Sequence, residues 1–327
     1  MIAIDVHAHM LDRDWLELLR RHGKPHYEVR ATLDGVEGVF LDGAPFMTLQ
    51  PGHFDCDYRI ARMDAAKVDL AIVSLTCPNV YWGGPEASLE AARIVNDDMA
   101  EAERRYPGRI RWLSSLPWEY PERAVEELKR SLDLGAVGVM VLANIAGRSL
   151  TDPHFAPIWK AIDKEGLPVL VHPSAPPGTA DLDLRAFNLI ASVGFMFDTT
   201  LAFARMIFDG FLDRYPNLKL IAPHAGGTLP FIAGRLDQCF DKMGAARTKI
   251  SEPPSRYLRR IYYDSVTYRI EALRLCIEVG GADKVMYGSD HPHNIGDMAG
   301  CLARVDSLPA AERDAVRGGN ATRIFRL

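Results

Sequence analysis

The chain has 327 residues, of which 48% are hydrophobic, and it carries a formal net charge of −5. This composition supplies a large core and excludes a disordered chain. Because the charge is small and no basic cluster is present, neither nucleic acid nor an anionic membrane surface is an expected partner.

The cysteines and the apolar runs indicate a cytoplasmic protein. The five cysteines are odd in number and scattered without a CxxC pair, which is typical of reduced thiols: Cys56, Cys77, Cys239, Cys276 and Cys301. The first ten residues include Asp5, His7 and His9, so they do not resemble a secretory leader. The apolar runs elsewhere read as too short to span a bilayer.

Short apolar segments alternate along the chain with amphipathic segments. The predicted strands are 2–6, 69–75, 110–116, 136–142, 167–172, 218–223, 260–265 and 284–288. The predicted helices between them are 57–67, 86–106, 121–134, 153–166, 197–214, 228–243 and 269–280. This alternation predicts a parallel sheet with helical crossovers, and the number of strands, eight, favours an α/β fold of the closed (β/α)8 TIM-barrel type.

Residues 10–54 interrupt the alternation. They contain the turn signals Asp34-Gly35, Asp42-Gly43 and Pro51-Gly52, so we expect a small β-ribbon inserted after strand 1. The tail, 296–327, is expected to form short helices as a C-terminal extension. Since no linker or repeat is visible, residues 1–327 are predicted to form a single domain.

Candidate metal ligands follow several of the predicted strands. Alternation along a strand places His7 and His9 of the segment Ile4-Asp5-Val6-His7-Ala8-His9 on one face. His172, His224 and Asp290 each follow a later strand, and the carboxyl ends of barrel strands meet on one face. A lone strand-end histidine is more often structural. The joint pattern, three imidazoles and a carboxylate, suits Zn²⁺ or a similar cation with a position left for water.

Longer motifs run in order over almost the whole chain, and they resemble those of the amidohydrolase superfamily, in the branch of aminocarboxymuconate-semialdehyde decarboxylase. They are Ile4-Asp5-Val6-His7-Ala8-His9, Tyr58-Arg59-Ile60-Ala61-Arg62-Met63-Asp64, Val169-Leu170-Val171-His172-Pro173, Pro223-His224-Ala225-Gly226-Gly227, Gly234-Arg235-Leu236-Asp237, Tyr263-Asp264-Ser265, Gly288-Ser289-Asp290 and Gly319-Asn320-Ala321.

The resemblance implies one divalent metal ion, held by His7, His9, His172 and Asp290, with a catalytic His224 beside it. Strand 4 has no lysine of the kind that is carbamylated in the binuclear members, which favours a single metal. Zinc is the first expectation, with manganese or another divalent ion as the alternative.

The resemblance also implies how substrate binds. Arg235 would hold a substrate carboxylate from the neighbouring subunit, which implies a homodimer, although the residues alone favour an exposed helix arginine that pairs with Asp237 or nearby acids. A second carboxylate-binding arginine of the family falls here on Met47, beside Phe46. We therefore predict that Phe46, Met47 and His293 contact a less charged part of the substrate.

These features predict a metal-dependent decarboxylase of a small unsaturated or aromatic carboxylic acid, with His224 and Asp290 as catalytic residues. One alternative is a hydrolase or hydratase of a cyclic amide, a lactone or an unsaturated diacid. A more distant alternative is a non-catalytic metal-binding protein. No role is assigned to His53 or His291.

Overall fold

The computed structural model describes residues 2–327, and eight parallel strands form its central sheet. In chain order the strands are β1 (Ile4–His9), β2 (Tyr27–Ala31), β3 (Glu37–Leu41), β4 (Ala44–Thr48), β5 (Leu70–Ser74), β6 (Ile110–Ser115), β7 (Gly138–Leu142), β8 (Asn144–Ile145), β9 (Arg148–Ser149), β10 (Pro168–His172), β11 (Lys219–Ala222), β12 (Tyr262–Asp264) and β13 (Val285–Met286).

The helices surround this sheet. In chain order they are α1 (Arg13–His22), α2 (Cys56–Ala66), α3 (Gly84–Arg105), α4 (Pro121–Asp133), α5 (Ala156–Glu165), α6 (Phe195–Phe208), α7 (Phe211–Arg214), α8 (Pro223–Gly226), α9 (Leu229–Lys242), α10 (Pro254–Leu258), α11 (Ile270–Gly280), α12 (Met298–Asp306), α13 (Ala310–Asp314) and α14 (Asn320–Phe325). Short 3-10 segments at 51–53, 153–155, 186–188 and 244–247 and π-helical segments at 190–194 and 315–319 complete the chain.

The sheet closes on itself. Its strand order is β1-β5-β6-β7-β10-β11-β12-β13. The last strand returns to the first, because the Val6 amide donates to the Tyr287 carbonyl at 3.0 Å and the Asp290 amide donates to the His7 carbonyl at 2.8 Å. The predicted (β/α)8 TIM barrel is confirmed, and all eight predicted barrel strands are present.

A bulge in β1 decides which side chains enter the barrel. Ile4 and Val6 belong to the buried cluster that fills the barrel with Ile72, Met140 and Leu170. Strict alternation from Val6 would turn His7 outward. The register between β1 and β5 shifts between Asp5 and Ala8, so one extra residue of β1 is accommodated and the histidines are turned inward.

The insertion after β1 holds the predicted ribbon and one unpredicted helix. Strands β2, β3 and β4 form an antiparallel sheet, with turns at Asp34-Gly35 and Asp42-Gly43. Helix α1 precedes them, and the Asp12 carboxylate caps it by accepting from the amides of Asp14 and Trp15. The sequence-based interpretation of residues 10–54 as a ribbon did not include this helix, although its Asp12 cap and its apolar stripe are visible in the sequence. The short helices of the tail are α12, α13 and α14.

One helical stretch within residues 2–327, from Ala186 to Phe208, is long and apolar enough to cross a membrane by length and composition alone. The expectation that every apolar run is too short is therefore wrong for this stretch. It was overlooked because Asn188, Ser192 and Asp198 interrupt the apolar run in the sequence. Asp198 is 2% exposed and bonded to other parts of the barrel, so this stretch is weak support for a membrane span.

Asn320 ties the C-terminal helix to the barrel. Its buried Nδ2 donates to the carbonyls of Ala282, at 2.8 Å, and Val285, at 2.7 Å.

We expect Asn320→Ala to lower the free energy of unfolding by about 2–3 kcal/mol, because two buried carbonyls lose their donor. Urea unfolding of the metal-loaded protein measures this change. Asn217→Ala removes an exposed asparagine and serves as the matched control, with an expected loss below about 1 kcal/mol. Equal losses for the two variants would contradict the role of Asn320.

Candidate metal centre and active site

Three imidazoles and a carboxylate converge where the barrel closes. His7 Nε2 and His9 Nε2 are 3.1 Å apart, and Asp290 Oδ1 lies 3.4 Å from the first and 3.2 Å from the second. The His172 ring packs edge-on against both, with centroid distances of 5.2 Å to His7 and 4.8 Å to His9. His172 Nε2 is buried and has no hydrogen-bond partner among residues 2–327.

Each of the three imidazoles is oriented from behind through its Nδ1 atom. The partners are the Asp264 carboxylate for His7, at 2.6 Å, the Leu75 carbonyl for His9, at 3.2 Å, and the Pro173 carbonyl for His172, at 2.8 Å. Because Nδ1–H donates in each case, the three Nε2 lone pairs point towards one another. Without a cation between them, these lone pairs repel one another. This arrangement is typical of histidines that bind a metal.

Burial keeps two of these imidazoles, His9 and His172, in the neutral form that a metal requires. It lowers the pKa of His9 to about 3 and lowers that of His172 well below the ordinary value. Burial also opposes protonation of His7, but the adjoining Asp264 carboxylate outweighs it and raises the pKa of His7. Burial acts against ionisation of Asp290, yet hydrogen bonds from His224 and His9 hold its pKa well below the usual range.

The buried charges also fit a divalent ion. Asp5, Asp264 and Asp290 are at most 4% exposed and contribute three negative charges when ionised. Arg59 is fully buried behind β1, where its guanidinium donates to the carbonyls of His9 and Gly52, and it supplies one positive charge. A divalent cation with neutral imidazoles balances the remaining two charges, as burial in a low dielectric favours.

His224 lies beside this cluster on a strained turn. Its Nε2 atom is 3.6 Å from Asp290 Oδ2, and its Nδ1 atom is buried without a partner among residues 2–327. The φ angles of His224 and Ala225 are 53° and 52°, and that of Asp290 is 60°. Left-handed backbone at non-glycine residues costs energy, and its occurrence at two neighbouring reactive side chains is typical of a functional site.

Two further histidines extend the cluster towards the insertion. The ring centroid of His293 is 4.8 Å from that of His9 and 5.2 Å from that of His53. His293 Nε2 lies 3.1 Å from the Thr76 hydroxyl. His53 Nδ1 accepts from the Gln50 amide at 2.9 Å, so its proton is on the buried Nε2 atom. His293 therefore lies at the metal cluster, whereas His53 lies behind it.

The remaining predicted substrate contacts lie in three different environments. Phe46 is the extra residue of a bulge in β4, and its ring packs 6.3 Å from Phe195, which is 6.2 Å from His172. Met47 is 7% exposed and packs in the cluster outside the barrel. Arg235 lies on an exposed face of α9 and makes no ion pair within residues 2–327. The alternative interpretation, a pairing with Asp237, is not found among the described residues. A single chain therefore brings only Phe46 towards the metal cluster.

Sequence reasoning gave no role to three residues that orient the site. Asp264 fixes His7, Arg59 fixes the carbonyl of His9, and Asp198 bonds to the loop after His172. A signal existed for Asp264, which ends a barrel strand in the same way as His172 does. Arg59 lies in the family motif Tyr58-Arg59-Ile60-Ala61-Arg62-Met63-Asp64, but the motif gave it no role, and no signal existed for Asp198, which lies on an outer helix.

Comparison with known proteins assigns the chain to a family. The model of the Amidohydrolase family matches residues 4–327. The chain therefore belongs to the amidohydrolase family, and the family predicted from the sequence is confirmed.

The individual relatives are decarboxylases. The chain is 30% identical to 2-amino-3-carboxymuconate-6-semialdehyde decarboxylase of Dictyostelium discoideum, over 100% of this chain and 92% of that protein. It is 28% identical to gamma-resorcylate decarboxylase of a Rhizobium species, over 92% of this chain and 96% of that protein. These relatives confirm the sequence-based prediction of a metal-dependent carboxy-lyase.

Solved structures agree. The 5-carboxyvanillate decarboxylase of Sphingomonas paucimobilis superposes with a TM-score of 0.86 at 30% identity, covering 100% of this chain and 99% of that one. The enzyme of that name from Novosphingobium aromaticivorans superposes with a TM-score of 0.83 at 25% identity, covering 100% and 96%, and was crystallised with manganese and 4-hydroxy-3-methoxy-5-nitrobenzoic acid.

The buried histidines predict acid sensitivity of the metal-free protein. Burial lowers the pKa of His9 and of His291 to about 3, and that of His53 well below the ordinary value. An unfolded histidine has a pKa near 6.5. Below about that pH the unfolded state therefore binds protons that these histidines do not bind in the folded state. Stability is therefore lost as the pH falls below about 6.5. The raised pKa of His7 has the opposite effect on stability at low pH, but three histidines with lowered pKa values outweigh this one.

We expect His53→Asn to reduce this dependence by about one proton, or about 1.4 kcal/mol per pH unit between pH 6 and 5. Asparagine retains an acceptor for the Gln50 amide but does not titrate. Urea unfolding of both metal-free proteins at several pH values measures the slopes. Between pH 7.5 and 8.5, where unfolded histidine is neutral, the contribution of His53 to the slope should vanish. Identical slopes below pH 6 would show that His53 is not held neutral.

Proposed function

We propose that the protein removes the carboxyl group of a small hydroxylated aromatic or conjugated acid, with His224 as the proton donor. The observation that carries the proposal is the convergence of His7, His172 and Asp290 next to His224, with His9 in contact with this group, in a chain whose relatives are decarboxylases. His7, His9, His172 and Asp290 would hold the metal.

The reaction breaks the bond between the carboxyl carbon and the substrate, releases CO₂, and leaves an electron pair that must take up a proton. A divalent cation, when bound, polarises a substrate oxygen and so draws this negative charge into the conjugated system. His224 is the proposed donor of the proton to the carbon that loses the carboxyl group, and its Nε2 atom lies 3.6 Å from Asp290 Oδ2.

Aromatic side chains next to the ligands support a flat substrate. Phe46, Tyr81 and Phe195 are partly buried and pack over the open end of the barrel, against the cluster that contains Cys77 and Leu142. A planar ring in this position packs against apolar surface on one side. Burial lowers the pKa of His293, so the neutral imidazole is suited to a hydrogen bond with a hydroxyl or carbonyl oxygen of the ring.

The metal proposed is zinc. Three imidazole nitrogens and one carboxylate oxygen are a donor set that zinc accepts in four-coordinate sites with an additional position for substrate or water. The manganese in the Novosphingobium relative makes that ion the alternative outcome of an elemental analysis.

Two exposed features of a single chain support a homodimer in which Arg235 completes the neighbouring site. Arg235 has no ion pair within residues 2–327 and lies one helical turn from Phe231, which is 83% exposed. On α6, Phe197 and Leu201 are 49% and 47% exposed. Apolar surface of this kind beside an unpaired guanidinium fits a subunit interface that carries a carboxylate-binding arginine.

The protein is proposed to be cytoplasmic, with neither nucleic acid nor a membrane as a partner. All five cysteines are free, which supports a reducing compartment.

The first prediction from the proposed function concerns the substrate. The zinc-loaded protein should release CO₂ from 5-carboxyvanillate or gamma-resorcylate, and prolonged chelation should abolish this release until metal is restored. The dicarboxylated aminocarboxymuconate semialdehyde should be a poor substrate, because the family's second arginine is Met47 here and a lost buried ion pair costs about 2–5 kcal/mol. CO₂ detection with elemental analysis tests the prediction. Turnover without CO₂ would instead favour the hydrolase or hydratase, and efficient use of the semialdehyde would show that Met47 does not limit the substrate.

The second prediction separates His224 from the ligands. His224→Gln should keep about one metal ion per chain and lose about 100- to 10,000-fold in kcat, because it removes a proton donor. His172→Gln should lose metal content as well as rate. His154→Gln, at an exposed histidine, is the control and should match the parent protein. Near-normal turnover by His224→Gln would remove His224 from the mechanism.

The third prediction tests the shared site. Arg235→Ala and His224→Gln should each be inactive alone, and a mixture that exchanges subunits should regain activity, at most about a quarter of the parent's rate if the chains pair at random. Activity should return because one site of the mixed dimer takes its His224 from the Arg235→Ala chain and its Arg235 from the His224→Gln chain. Mixing two batches of Arg235→Ala is the control. A fully active monomer at assay concentration would contradict the arrangement.

A further inference from the structure

The peptide group after His172 controls the orientation of that ligand. His172 Nδ1–H donates to the Pro173 carbonyl at 2.8 Å, which leaves the buried Nε2 atom directed at His7 and His9. The Pro173 carbonyl and the Ser174 amide belong to one planar peptide unit. Any group that fixes the Ser174 amide therefore also fixes the acceptor of the His172 ring.

Asp198 of helix α6 is that group. Its Oδ2 atom accepts from the Ser174 amide at 2.9 Å, and its side chain lies in the interior, with the residue 2% exposed. Asp198 makes no ion pair within residues 2–327, and burial raises its pKa to about 7. An ionisable group buried without a cation is costly, so its presence indicates a function beyond packing.

Asn144, just beyond the end of β7, completes the arrangement. Its Nδ2 atom lies 3.0 Å from each carboxylate oxygen of Asp198 and donates to the Ala175 carbonyl at 3.1 Å. Its Oδ1 atom accepts from the Gly147 amide at 3.0 Å, which fixes the orientation of the amide group. The loop is thus held at the Pro173–Ser174 peptide by Asp198 and at the Ala175–Pro176 peptide by Asn144.

We propose that Asp198, supported by Asn144, is a positioning residue that sets the geometry of His172 as a metal ligand through the Pro173–Ser174 peptide. Asp198 acts on the metal through this peptide and touches neither the metal nor the substrate. The inference rests on the proposed metal-dependent function. It adds a connection from an outer helix of the barrel to one ligand.

The test uses Co²⁺ as the probe, because its visible spectrum reports the geometry of its ligands. Asp198→Ala should weaken Co²⁺ binding by about 10- to 100-fold, as loss of groups that orient metal ligands does, and should alter the spectrum. Asp198→Asn retains an oxygen acceptor for the Ser174 amide, so its affinity should lie closer to that of the parent protein. Asn144→Ala should shift affinity in the same direction as Asp198→Ala, and the double variant should show less than the sum of the two losses, expressed as free energies.

Glu127→Gln is the matched control for simple destabilisation. Glu127 is 1% exposed and bonds to Asn96 and Arg130, between α3 and α4, so its loss weakens the fold without reaching the ligands. It should lower the unfolding temperature and leave Co²⁺ affinity and spectrum unchanged. If Asp198→Ala and Asn144→Ala behave like Glu127→Gln in both readouts, the positioning role is wrong. If the parent protein itself fails to bind Co²⁺, zinc or manganese, the proposed metal-dependent function fails and this inference fails with it.

Discussion

The structure depends on the closure of the barrel between β1 and β13. The amide of Asp290 bonds to the carbonyl of His7, so the last ligand along the chain is held beside the first by backbone geometry. The bulge in β1 then turns His7 and His9 into the barrel next to this carboxylate. A change that opened this seam would separate Asp290 from both histidines at once. Side chains reinforce this backbone contact, because the Asp5 carboxylate accepts from the amide of Ser289 at 3.1 Å and from its hydroxyl at 2.5 Å.

The second constraint is electrostatic. The ligands are surrounded by groups that accept their Nδ1 protons, and burial disfavours a proton on the Nε2 atoms of His9 and His172. Lone pairs that face one another at 3.1 Å are stable only with positive charge between them. Arg59 and a divalent ion, when bound, would together balance the three carboxylates in this region. The same charge count explains why so many polar groups are tolerated at the open end of an otherwise apolar barrel.

Specificity is built on other elements. The candidate ligands His7, His9 and His172 lie on strands and Asp290 follows β13, whereas Phe46 comes from the inserted ribbon and Phe195 from the beginning of α6. A bulge directs Phe46 towards Phe195 and leaves Met47 in the core outside the barrel. We propose that Met47 affects substrate choice because it stands where the family has an arginine, and that Phe46 supplies an apolar contact. Loops and insertions on a fixed barrel are the usual place for such variation.

The sequence by itself determined the strand and helix alternation, the ligand residue types at the strand ends and the family, because each of these is a local pattern of residues. The direction of the His7 and His9 side chains was decided by the β1 bulge, since a register shift depends on the neighbouring strand. The roles of Asp264, Arg59 and Asp198 were likewise decided by tertiary structure. Each acts on a ligand from a distant part of the chain, and proximity of this kind leaves no mark in residue spacing. The helical stretch 186–208 could not be recognised at its full length from the sequence, because polar residues interrupt its apolar pattern. The contact of Asp198 with the Ser174 amide is likewise visible only in the tertiary structure.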